Sequence, residues 1–255
     1  MKVLKIFAGL SALLMLCSCG ASPATTSPAV TDASESTEPQ PSWPEPDKLI
    51  ALTFDDGPSQ DTMDEILDVL AQYDAKATFF IIGRKINAGT KEVLQRAVDE
   101  GHELGNHSMN HLKMAELTEE EIVAEYEECQ KAVKDAVGVD MYYFRAPFGS
   151  VDDRVRQLIN APFMKYTASA GDGTNVSLAE DRAYKVTSKA HDGGIVIMHC
   201  YKGNTPTVEA LKIILPELKS QGYKFVTLTD LYLERGYELP GPTPGIKIKD
   251  NKPIE

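Results

Sequence analysis

Tryptophan is nearly absent, cysteine is scarce, and basic side chains are outnumbered. The 255 residues hold one Trp, four Cys, 26 Lys and Arg and 38 Asp and Glu, for a net charge of −12. That acid excess excludes a nucleic-acid partner, which needs a field of the opposite sign. Two of the cysteines, Cys17 and Cys19, fall at the extreme N-terminus, so Cys129 and Cys200 can form one bridge at most; spacing leaves a bridge and two separate thiols equally open. No apolar run is long enough to span a bilayer, the candidate Ile6–Leu16 being too short. No break in composition marks off a second folded domain. What is present, 42% hydrophobic and 25% charged residues, is ordinary globular material with enough chain for one sizeable core.

The N-terminal stretch reads as a targeting segment. Lys2 and Lys5 precede the apolar Ile6–Leu16, and Leu16-Cys17-Ser18-Cys19-Gly20 resembles a bacterial lipobox. Residues 1–18 are therefore expected to be removed and Cys19 lipidated, placing the protein outside the cytoplasm on a membrane. Removal leaves 24 basic against 38 acidic side chains, a charge of −14. Residues 19–46 are rich in Ser, Thr, Ala, Pro and acids without periodicity, and include Trp43. Such a segment buries too little surface to offset its ordering entropy. It reads as a tether with a reach of roughly 30 Å.

From residue 47 to about 235, strand-like and helix-like segments alternate. Leu49–Phe54 is a buried strand; Thr62–Gln72 has helical spacing; Ala77–Ile82 and His102–Asn106 are strands on either side of helix Lys91–Glu100. Thr118–Val137 opens with a capping box, Thr118 and Glu121. Strands at Tyr142–Arg145, Met164–Ala168, Ile195–Met198 and Lys224–Leu228 alternate with helices Asp153–Asn160, Ala179–Lys189 and Thr207–Gln221. Repeated β-then-α units imply parallel strands joined by helical crossovers, as an open sheet or a barrel. Residues 236–255 form a polar tail.

Four constellations fall at strand ends, where parallel α/β folds build their sites. Leu49–Phe54 delivers Asp55 and Asp56 into a Gly-Pro turn, so two carboxylates leave one strand end with different neighbours. Taken alone, Asp-Asp-Gly is a solvated turn. His107-Ser-Met-Asn-His111 places two imidazoles four apart, which on a helical turn share one face and can bind a divalent ion with a carboxylate. Arg145-Ala-Pro-Phe-Gly149 offers a guanidinium to hold a carboxylate and a turn whose main-chain N–H groups can face an oxyanion. Ile195-Val-Ile-Met-His199 brings a histidine to the same edge, where a lone one is ordinarily just packed.

Together, in this order, these motifs resemble the polysaccharide deacetylases of carbohydrate esterase family 4, the NodB homology domain, over roughly Lys48 to Tyr232. The resemblance implies a single catalytic domain, an α/β fold in the form of a distorted (β/α) barrel of about seven repeats. It implies Asp56, His107 and His111 as ligands of a divalent metal, zinc first, with cobalt, nickel and manganese as alternatives. Asp55 would be the catalytic base, Arg145 its partner, His199 the general acid, and the Phe148 main-chain N–H an oxyanion donor. The expected partner is an extracellular acetylated glycan, acted on by a monomer. The expected reaction removes N-acetyl groups from an N-acetylglucosamine-containing glycan such as peptidoglycan; an O-acetyl esterase on xylan and a non-catalytic glycan-binding lipoprotein are the alternatives.

The chain departs from the family where Asp172-Gly-Thr-Asn175-Val176 replaces Asp-x-x-Asp-Trp, losing the acid and the Trp. Either His199 lacks its carboxylate partner, which would lower its pKa, or Asp172 reaches it in place of Asn175. Phe148 also stands where Tyr is common, a change of little consequence if the main-chain N–H acts.

Overall fold

The computed structural model describes residues 47–174 and 176–241, with the backbone of 248–249 and 252–253. The N-terminal 46 residues, Cys19 among them, and Asn175 lie outside the described residues.

The central strand is β1 (Lys48–Gly57), and its alternation organises two layers of core. Ile50, Leu52 and Phe54 face one cluster, which holds Met63, Ile66, Leu67 and Leu70 of α1 (Thr62–Ala71) and Leu211 and Ile214 of α6 (Thr205–Ser220). Leu49 and Ala51 face the other, with Phe80, Tyr143, Met164 and Val226. Thr53 and Asp55 share the parity of Leu49 and Ala51, so both belong to the inner face.

Every strand paired with this sheet is parallel. The order is β3 (Glu103–Asn106), β2 (Thr78–Ile81), β1, β5 (Gly194–His199) and β4 (Ala168–Ser169), with β6 (Tyr223–Val226) against Lys48–Ala51 of β1. Because β5 runs along Ile50–Asp55, β6 and β2 share the opposite edge of β1 in succession. Helices α2 (Ala88–Asp99), α3 (Glu119–Val137), α4 (Asp153–Leu158) and α5 (Ala179–Thr187) form the crossovers, and α7 (Leu228–Leu233) follows β6. The reading of an α/β fold built from repeated parallel units therefore holds.

Beyond β3 the sheet continues by single parallel bridges, Asn106 to Phe144 and Phe144 to Phe163. The strands anticipated at 142–145 and 164–168 shrink to these bridges and the two-residue β4. Pro162 and Pro147 border this stretch, and a proline both lacks the ladder N–H and restricts its predecessor. The Thr118–Glu121 capping box is formed, Thr118 Oγ1 accepting from Glu121 N at 3.3 Å and Glu121 Oε2 from Thr118 N at 2.9 Å. In the tail, Ile248–Lys249 and Lys252–Pro253 make a short antiparallel pair.

Cys129 and Cys200 are separate, buried thiols. Cys129 contacts Ile81 O at 3.3 Å and Cys200 contacts Asp55 O at 3.3 Å. A Cβ on Gly57 would stand 3.2 Å from Cys200 Sγ, so the thiol fills space that the glycine leaves beneath the end of β1.

A candidate active site at the strand ends

The carboxyl ends of β1, β3 and β5 and the Phe144 bridge open on one cleft of about 630 Å³, lined among others by Asp55, Asp56, His107, His111, Phe148 and His199. Arg145 lines it too.

Asp55 and Asp56 have different surroundings. Asp55 is buried, and its Oδ1 accepts from Arg145 Nη1 at 2.7 Å. The same Nη1 donates to Thr53 Oγ1 at 2.7 Å, whose hydroxyl proton goes to Val196 O. Arg145 lies with its guanidinium carbon 4.1 Å from the Phe80 ring centroid. A Cβ on Gly105 would approach that ring to 2.6 Å, so the glycine makes room for the floor on which Arg145 rests. Asp56 instead sits in the irregularity near the end of β1, where the pairing register shifts between Phe54 and Gly57, with φ 68° and its carbonyl held by Lys85 Nζ at 2.8 Å.

Asp56 Oδ1 is 3.1 Å from His111 Nε2 and 3.6 Å from His107 Nε2, without meeting hydrogen-bond geometry with either. It is a buried carboxylate oxygen with no donor. Burial raises the Asp56 carboxyl pKa, but close approach of His111 and the charges of the imidazoles more than reverse this, to about 2. His107 Nδ1 lies 2.6 Å from Arg145 O. A carbonyl only accepts, so Nδ1 carries the proton and Nε2 presents its lone pair toward the carboxylates. Burial holds the His107 pKa below its ordinary value, which favours the neutral ring. One ligand atom each from Asp56, His107 and His111 lies within 4.8 Å of the others.

The two histidines do not sit on a helical turn, which corrects the local reading. Residues 107–111 form an irregular loop in which Ser108 and His111 have φ of 65° and 58°. Side chains take over the backbone donors: Asn106 Oδ1 accepts from Ser108 N, Ser108 Oγ from His111 N, and Glu125 from Asn110 N and Nδ2. The loop still brings the rings together, their centroids 5.0 Å apart.

Phe148 occupies the turn Pro147–Gly149 with φ 57°; the residue is 68% exposed, and its ring centroid is 4.6 Å from that of His111. Gly149 N and Ser150 N are used within the turn, on Ala146 O and Pro147 O. The Phe148 N–H meets no acceptor among the described residues.

On the opposite wall, His199 Nδ1 is 2.8 Å from Asp172 Oδ1, and His199 N donates to Asp172 Oδ2 at 2.8 Å. Burial pushes the His199 pKa down, but the Asp172 hydrogen bond and the charges of Asp172, Asp55 and Asp56 raise it above its ordinary value. The Asp172 carboxyl, although burial raises it, is brought below its ordinary value by His199 and Thr207. A His199 without a carboxylate is therefore not what the fold contains, and the lowered pKa expected on that premise is replaced by a raised one. Asn175, the other candidate partner, lies outside the described residues.

The model of the polysaccharide deacetylase family matches residues 43–167, a span that includes Asp55, Asp56, His107, His111 and Arg145. A peptidoglycan-N-acetylglucosamine deacetylase of Bacillus cereus is 37% identical over 195 residues, 74% of this chain and 90% of that protein. The chain belongs to the polysaccharide deacetylase family. A bifunctional xylanase/deacetylase of Pseudobutyrivibrio xylanivorans is 40% identical over 202 residues, 79% of this chain but 32% of that protein. This family member thus spans about a third of that larger relative. Among solved structures, a family 4 acetyl xylan esterase from Clostridium thermocellum in complex with a cobalt ion is 36% identical, with a TM-score of 0.72 over 76% of this chain and 95% of the other.

Several site residues carried no recognisable motif. Thr53 had a signal, its parity with Asp55 on β1. Thr207, Asn204 and Arg182, buried behind Asp172, had none beyond a lone arginine between Ala179, Ala183 and Val186 on α5.

Proposed function

We propose that the chain is a metal-dependent hydrolase that removes N-acetyl groups from an N-acetylglucosamine-containing glycan such as peptidoglycan. The observation that carries this reading is the division between adjacent carboxylates: Asp55 is committed to Arg145, while Asp56 sits with two imidazoles. The donor set fits a divalent cation, because Asp56 Oδ1 is buried without a donor and His107 Nε2 presents a lone pair. Asp56, His107 and His111 would hold it, as zinc or as cobalt, nickel or manganese. When bound, the cation supplies Lewis-acid polarisation of the acyl carbonyl and acidifies water.

The remaining steps belong to side chains and backbone. Asp55 accepts the proton of the attacking water, with Arg145 fixing its orientation and balancing its charge. The Phe148 N–H donates to the former carbonyl oxygen of the acyl group as it takes on negative charge, a contact of a type that contributes about 3 kcal/mol. His199, protonated on both nitrogens, gives its Nε2 proton to the leaving amine while Nδ1 stays on Asp172. The Asp172–His199 pair also weighs against a binding protein without catalysis, the alternative that the altered fourth motif suggests.

A second reading, O-deacetylation of xylan, is favoured by the similarity to the acetyl xylan esterase and to the xylanase/deacetylase. Acetate release from N-acetyl chitooligosaccharides and from acetylated xylan, each with and without chelator, tests both. Chelator-sensitive release from the chitooligosaccharides supports the first reading; release from xylan alone replaces it with the second; release from neither sinks both. We further place the protein outside a bacterial cytoplasm, as a monomer anchored through lipidated Cys19.

A further inference from the structure

We propose that Arg182, acting through the Thr207 hydroxyl, is the residue that positions the Asp172 carboxylate on His199. The argument is one of donors and acceptors in a site closed to water. Asp172, Arg182, Asn204 and Thr207 are all fully buried. Thr207 Oγ1 has three polar neighbours: Asp172 Oδ2 at 2.7 Å, Arg182 Nη1 at 2.8 Å and Asn204 Nδ2 at 3.0 Å. A guanidinium can only donate, and Asn204 Oδ1 already accepts from Arg182 Nη1 at 2.6 Å, which fixes the amide with Nδ2 facing Thr207. Two donors therefore occupy the lone pairs of the Thr207 oxygen. Its single proton has one destination left, Asp172 Oδ2.

The consequence is a carboxylate with no rotational freedom. Oδ2 takes the Thr207 proton and the His199 main-chain N–H, so Oδ1 is delivered to His199 Nδ1. Asn204 Nδ2 also donates to His199 O at 2.9 Å, tying the same group to the backbone of the histidine. Arg182 supplies the positive charge that a fully buried acid needs, one hydroxyl away. It also reaches Ser177 Oγ at 3.0 Å and Thr174 O at 3.4 Å, so it braces the segment that departs from the family motif after Asp172. Arg182 and Thr207 touch no substrate; they are positioning residues, and the inference rests on His199 acting as the proton donor proposed above.

The pair Thr207→Val and Thr207→Ser tests it on the zinc-loaded protein. Valine keeps the shape and removes the hydroxyl, whereas serine keeps the hydroxyl. Two quantities are read: the downfield proton resonance of His199 Nδ1–H, and kcat and KM for acetate release. Thr207→Val is expected to shift or broaden the resonance and lower kcat about 10- to 100-fold. KM should change less than about twofold and zinc content not at all, since neither the groove nor the metal cluster is touched. Thr207→Ser should restore both readouts. Arg182→Lys, measured alongside and relied on alone if Thr207→Val does not fold, should show the same changes, since it keeps the charge but loses the fork that spans Asn204, Thr207 and Ser177. A folded Thr207→Val or Arg182→Lys protein with the wild-type resonance or wild-type kcat overturns the inference. If the wild type releases acetate from neither glycan, the proposed function falls, and the resonance alone then decides for or against Arg182.

Discussion

Asp55 and His199 are register partners across the parallel pair β1–β5, and Cys200 N binds Asp55 O at 2.8 Å just beyond them. The proposed base and acid thus leave neighbouring strand ends, at a separation set by the sheet itself. What differs is their support, Arg145 for the carboxylate and Asp172 for the imidazole. Each support, and the proposed metal site of Asp56, His107 and His111, can be perturbed separately.

Replacing His111 by Ala should remove metal and activity with little loss of stability, because its side chain is partly exposed and a catalytic site contributes less to folding than a structural one. His107→Ala should also lose metal but cost about 1–3 kcal/mol more, because it strips the buried Arg145 carbonyl of its donor. Metal analysis and urea denaturation of the two variants check this. Full metal occupancy with normal turnover in either one would remove that histidine from the cluster.

Much of this arrangement is legible in the order of residues along the chain. The alternation Leu49, Ala51, Thr53, Asp55 places the first carboxylate on the inner face, and the recurrence of polar motifs at strand ends places the rest beside it. The loop of His107–His111 is not legible as a loop. Helical spacing and a side-chain-braced turn can bring the same two rings together, and only the long-range contact with Glu125 separates the cases. Nor does local sequence decide between Asp172 and Asn175 as partner of His199, since three residues of backbone path separate them. Arg182 is invisible there for a related reason: its role depends on α5 meeting the start of α6.

Arg145→Met should destabilise the protein by roughly 3–5 kcal/mol, leaving Asp55 as a buried charge without its counterion. The double variant Arg145→Met, Asp55→Asn should recover part of that loss, while activity stays absent in both. Denaturation midpoints of the four proteins in the cycle give the coupling. Additivity within about 0.5 kcal/mol would mean the pair is not energetically joined.

Phe148→Ala and Phe148→Gly both keep the main-chain N–H, so kcat should stay within about tenfold of wild type, short of the 100-fold or larger loss that follows removal of an oxyanion donor. The glycine variant should be the more stable of the two by about 1 kcal/mol, because φ 57° lies in the left-handed region that glycine enters without the Cβ penalty alanine carries. A 100-fold fall in kcat for both would assign the work to the ring and not to the amide.

Cys19→Ala should convert a membrane-associated protein into a released or unprocessed one, because a thioether-linked lipid is the only strong anchor expected from the N-terminal motif. Fractionation of cells expressing either form decides this. Wild-type protein found free in the medium would indicate an ordinary signal peptide.

Asp172→Asn should lower the His199 pKa, since the Asp172 hydrogen bond and charge are what lift it against burial. A general acid works only while protonated, so the alkaline fall of kcat should move to lower pH in the variant. Stability should follow the same pair. The Asp172 pKa is depressed on folding, so its contribution is present above the unfolded carboxyl value of about 3.9 and fades as pH falls through the folded one. That of His199 is raised, so its contribution is full below the unfolded value of about 6.5 and fades as pH rises through the folded one. The stability gap between wild type and Asp172→Asn should therefore be widest between about pH 4 and 6.5, and narrower on either side. Asn175→Asp, by contrast, should move the alkaline limb little, because Asp172 already occupies both His199 Nδ1 and its main-chain N–H. Paired pH–rate and pH–stability profiles of the three proteins check this. A large upward shift in Asn175→Asp with no change in Asp172→Asn would mean that position 175, and not Asp172, governs the proton on His199.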